Sequence, residues 1–238
     1  MIRDTSVLRL LVWLQGHGTL CMAASVVVGL AFQDLARVCA PLVVYAATGT
    51  MLLSLVRLDI DSFIGHARRP GLAIAIVAWT ILVVPTLALA LAHYTPLTVP
   101  VGAGMVLIAA TPSIMSVAAY CIFLGTDAAL LTLVSLAATA LCVATLPAFA
   151  AWAPGDVPGL TFAPLLIRTF TVVGIAFGGA ALIHRIVPRA SIIRHVASID
   201  GVIVILIIVS AIGIVDGLWA VLTAQPLLSI EYFVLTLV

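Results

Sequence analysis

The residues best placed to do chemistry lie around Thr111-Pro112-Ser113, in the apolar stretch from Val101 to Ser116. A proline inside a helix removes a backbone hydrogen bond and clashes with the turn before it. In hydrocarbon, backbone groups freed this way persist only against protein or a water-filled cavity. Thr111 and Ser113 flank the break and can answer those groups themselves. Beyond it, Ser113, Ser116 and Tyr120 recur at helical spacing and share one face. The next apolar stretch repeats the pattern with Thr132, Ser135, Thr139 and Cys142, after the short turn Gly125-Thr126-Asp127. Two hydroxyl stripes beside a broken helix supply neutral oxygens, the donors a hard cation such as Na⁺ prefers. Thr111, Pro112, Ser113 and Tyr120 are therefore the candidate substrate-binding residues, and Ser116, Thr132 and Ser135 the candidate Na⁺ ligands. The same hydroxyls have two plainer uses, bonding back to their own helices or joining one helix to the next.

Other chemistries find less support. The histidines sit in Arg-bearing connections (His66, His195), at helix ends (His93, His184) or in a Gly-His-Gly turn (His17), and no HExxH, GxSxG or P-loop motif is present. Cys21, Cys39, Cys121 and Cys142 lie singly in apolar stretches and read as small buried hydrophobes. Asp127 and Asp200 read as N-caps of the fifth and seventh helices. Pro85 is expected to interrupt the third helix, with Thr80 and Thr86 close by. No resident cofactor is implied.

The elements that must carry these residues are membrane spans. Hydrophobic residues make up 64% of the chain and charged residues 8%, with a mean hydropathy of +1.35. A soluble domain carries roughly 25% charged residues, so the outer solvent here must be largely lipid. Every basic residue is Arg, the net charge is +1 and no basic run is present, which argues against nucleic acid as a partner. A span needs about 20 apolar residues, which gives segments 17–33, 38–56, 71–93, 97–124, 128–152, 164–184 and 199–221, with an eighth beginning near Leu227. Residues 1–16 read as an amphipathic segment lying in the interface, and 153–163 as a turn-rich loop. The eighth segment is too short to cross before Val238, so the chain is expected to be cut inside a helix. Arginines 3, 9, 57, 68, 69, 185, 189 and 194 fall on one side and only Arg37 and Arg168 on the other. The positive-inside rule then puts the N-terminus in the cytoplasm.

Taken together, Leu52 to Asp59 with Arg68-Arg69-Pro70, Ala110 to Ser116, and Gly125-Thr126-Asp127-Ala128-Ala129-Leu130 resemble passages of the bile acid:sodium symporter family in its broad bacterial sense. The resemblance implies an all-α polytopic membrane protein with ten helices in two inverted five-helix repeats. Residues 17–152 would form the first repeat, with 97–124 as its broken helix, and 164–238 an incomplete second repeat; seven helices and part of the eighth are present. It further implies a multi-pass protein of the bacterial inner membrane that moves a small organic anion, coupled to Na⁺, and is no enzyme. A non-transporting membrane sensor or assembly subunit is the alternative, and an intramembrane enzyme a more remote one. The enzyme would need a base brought to the Ser113–Ser116 region. The sequence leaves the substrate and the oligomeric state open.

Overall fold

The structure, a computed structural model, describes residues 9, 11, 13, 14, 16–57, 70–95, 98–111, 128–155, 161–218 and 224. Among them every regular element is helical and no strand occurs. The helices are α1 (Gly18–Ala31), α2 (Gln33–Cys39), α3 (Val43–Arg57), α4 (Pro70–Ala78), α5 (Val84–Tyr94), α6 (Val99–Ala110), α7 (Ala128–Trp152), α8 (Phe162–Ile186), α9 (Arg189–Arg194) and α10 (Val196–Ile214). Among the described residues, five continuous stretches are long and apolar enough to cross a membrane: Gln33–Arg57, Gly71–Tyr94, Leu133–Trp152, Phe162–Ile186 and Val196–Ile214. Two shorter apolar helices, Leu20–Ala31 and Val99–Ala110, fall in the first and fourth expected segments. Large apolar side chains such as Leu20, Ile74, Ile167 and Phe170 point outward. Water would penalise that surface, whereas lipid tails accept it. The chain is a helical membrane protein.

Several boundaries differ from those expected, each for a local reason. The first connection is not the stretch around Arg37 but Phe32 alone, whose backbone (φ −118, ψ 78) leaves the helix. The amide of Gln33 donates to Gly29 O at 3.1 Å and Leu30 O at 3.2 Å, answering carbonyls at the end of α1. Pro41 lies near the start of α3. It sits in a 3₁₀ turn, Ala40–Leu42, that carries α2 into α3. A proline in the first positions of such a turn has no bond to lose. The seventh span begins at Val196 and stops at Ile214 rather than 221. A turn over Val215–Gly217 ends it, and Gly217 takes a φ of +74 that an L side chain rarely adopts.

Asp200 is not a helix cap. His195 holds the N-cap position of α10 without a side-chain bond, and Asp200 lies one turn inside. Its carboxylate is buried and receives Arg57 Nη1 at 2.9 Å.

The chain divides into two compact units, residues 1–58 with 174–238 and residues 59–173. In the first, α10 packs against α1, α2 and α3, and α9 against α3 and α10. Close approach is possible because glycines stand at the crossings. A Cβ on Gly213 would meet Cys39 O at 2.8 Å, and one on Gly201 would meet Leu11 O at 2.6 Å. Small residues that let backbones touch are how membrane helices associate when burial of apolar surface supplies no drive. In the second unit, α7 packs against α4, α5 and α6, and α6 against α5. Ala92, Val106, Ala110 and Phe149 form a buried cluster within it.

Candidate functional site

The end of α6 lies in the second unit. Its terminus follows from one peptide bond: a residue that precedes proline is pushed out of the helical region by the ring. Thr111, the residue before Pro112, is extended (φ −93, ψ 119), and α6 ends at Ala110.

A helix end leaves its last carbonyls without amide partners. Here they are answered locally and from a neighbour. The Thr111 hydroxyl donates to Leu107 O at 2.5 Å and is 3.2 Å from Ile108 O. The Thr111 N–H reaches Ile108 O at 3.2 Å. From α7, the Cys142 thiol donates to Ala110 O at 3.7 Å, a weak bond of the kind sulfur forms.

The polar stripe of α7 faces inward: Ser135, Thr139 and Cys142 are all buried. Thr139 bonds back to Ser135 O at 2.8 Å, the plainer of the uses open to such a hydroxyl. Among the described residues, the groups at the end of α6 are neutral: the carbonyls of Leu107, Ile108 and Ala110, the Thr111 hydroxyl and the Cys142 thiol. They can solvate a cation or a polar group by dipoles, and the negative end of the α6 macrodipole adds to that field.

Of the residues singled out in the sequence, Thr111 stands at the terminus of α6 and Ser135 is buried on α7. Thr132 belongs to α7, with its side chain outside the described residues. Pro112, Ser113, Ser116 and Tyr120 also lie outside the described residues. Cys142 is buried, as expected of a small hydrophobe, and its thiol also donates to Ala110 O. Its place in the stripe, one helical turn beyond Thr139, is what sets the thiol on the face that meets α6.

No family model matches the chain, and a comparison with curated proteins finds no match either.

Proposed function

We propose that the protein is a secondary transporter of a small organic anion, coupled to Na⁺, with its central site at the α6 terminus. One observation carries the reading: an apolar helix in a membrane protein stops at Ala110, and its end is answered by Thr111 and by Cys142 of the buried α7 stripe. Discontinuous helices that place carbonyl ends and hydroxyls inside the membrane are the usual ion sites of secondary transporters. In this reading Thr111, Pro112, Ser113 and Tyr120 contact the anion, and Ser116, Thr132 and Ser135 ligate Na⁺. The sequence likeness to the bile acid:sodium symporter family supports the same assignment, including an inverted repeat and seven spans. The arginine asymmetry supports a cytoplasmic N-terminus in a bacterial inner membrane.

The test is ²²Na⁺ uptake into proteoliposomes, paired with thermal unfolding in sodium against choline chloride. Sodium should raise the unfolding temperature and enter the vesicles. Ser116→Ala and Ser135→Ala should each lower both responses by about tenfold in sodium affinity, the loss of roughly 1.4 kcal/mol expected for a ligating oxygen. Uptake indifferent to sodium and membrane potential, with Ser116→Ala and Ser135→Ala silent, would sink the proposal.

A further inference from the structure

The connection between α8 and α10 carries two mirrored triplets, His184-Arg185-Ile186 and Ile193-Arg194-His195. The first closes the span Phe162–Ile186, and the second immediately precedes the span Val196–Ile214. Both arginines are exposed. Beside them Ile186 is 69% exposed and Ile193 63%.

The connection is held in place from below. Ile192, on α9, is buried, and α9 packs against α3 and α10. Nε2 of His184 lies 3.4 Å from Leu55 O, and the ring of His195 is tied to Ser191 O through Nδ1 at 2.8 Å. The anchoring falls on Ile192 and the two imidazoles, which leaves the Arg-Ile doublets facing outward.

Charge along this connection is one-sided. No Asp or Glu occurs between Asp156 and Asp200. Asp200, the first carboxylate after the connection in the chain, is itself engaged by Arg57 at 2.9 Å.

We infer that the α8–α10 connection seats the phosphodiester headgroup of an anionic phospholipid, gripped by Arg185 and Arg194. The isoleucines decide between a lipid and a free anion. A soluble phosphate gains nothing from two exposed isoleucines, whereas a lipid brings acyl chain and headgroup together at the level where a span leaves the hydrocarbon. An arginine there sets its stem against apolar surface and its guanidinium among the phosphates. Guanidinium also presents paired donors that match two phosphate oxygens.

The experiment is spin-label lipid selectivity on the purified full chain in phosphatidylcholine bilayers, comparing labelled phosphatidylglycerol with labelled phosphatidylcholine. The protein should prefer phosphatidylglycerol, and Arg185→Gln and Arg194→Gln should each weaken that preference roughly fivefold. Arg185→Lys with Arg194→Lys, which keeps the charge and guards against a folding defect, should retain most of it. Arg168→Gln, on α8 outside the connection, should leave it unchanged. Ile186→Ser with Ile193→Ser should weaken it while both arginines stand. The assignment is overturned if the double Gln variant keeps full preference or if Arg168→Gln lowers it equally. It is also overturned if inorganic phosphate, but not chloride of equal ionic strength, displaces the labelled lipid.

Discussion

Two prolines in successive expected spans, Pro85 and Pro112, receive opposite treatment. Before Pro85 the chain stays helical: Val84 keeps φ −62 and ψ −48. The strain is absorbed upstream by a π turn over Trp79–Val83, in which the N–H of Val84 donates to Trp79 O. Thr80 bonds back to Ile76 O and Val77 O, and Thr86 to Leu82 O, so the loosened turns keep their acceptors occupied. Before Pro112 no such turn forms. Thr111 swings to the extended region and α6 ends. A proline in an apolar span is thus an instruction that the preceding turn can either absorb or obey, and only the second course leaves a helix end inside the second unit.

The sharpest way to break the comparison is to remove each proline. Pro112→Ala frees the chain to continue as a helix, a preference of about 3 kcal/mol. It should raise thermal stability in detergent while cutting ²²Na⁺ uptake by more than about tenfold. Pro85→Ala, where the helix already continues, should leave uptake within about twofold. Equal losses from the two variants would dissolve the distinction. A smaller effect separates the flanking threonines. Thr111→Val strips the hydroxyl from carbonyls at a helix end and should cost roughly 0.5–1.5 kcal/mol. Thr86→Val, acting on the carbonyl of a helix that runs on, should cost less in the same unfolding assay. The smallest is Cys142→Ala. Losing its weak bond to Ala110 O should lower stability by about 0.5 kcal/mol, and Cys142→Ser, a stronger donor, should restore it.

The positions of the long helices were legible in the sequence because a run of about 20 apolar residues has few alternatives. The end of α6 was legible only in part: X-Pro biases the preceding residue toward extended backbone, but Val84 before Pro85 stays helical, so the proline marks the place of a disturbance and not whether the helix ends there. What escaped were the features that depend on partners distant in the chain. Asp200 carries the signature of a cap, and only the fold brings Arg57 to it. The stripe includes Cys142, but only the fold brings Ala110 O, 32 residues away, within its reach. Phe32 carries no turn signal at all, and it nonetheless ends α1, while the next residue, Gln33, reaches back to the carbonyls left open.

The π turn over Trp79–Val83 also resets the phase of its span. Each residue advances a helix by about 100°, and a π turn admits one residue more than the α period allows. Side chains of Val84–Tyr94 are therefore rotated by about that angle from where a count begun at Pro70 would put them. A helical wheel drawn through the whole of Gly71–Tyr94 mixes two faces. The stretch is better treated as two short rods sharing an axis: a one-residue deletion inside the π turn would restore the α period and keep the buried face of the second, with Pro85, Ala88 and Ala92, where it is, whereas closing the turn to α with no residue removed would rotate that face by about 100°.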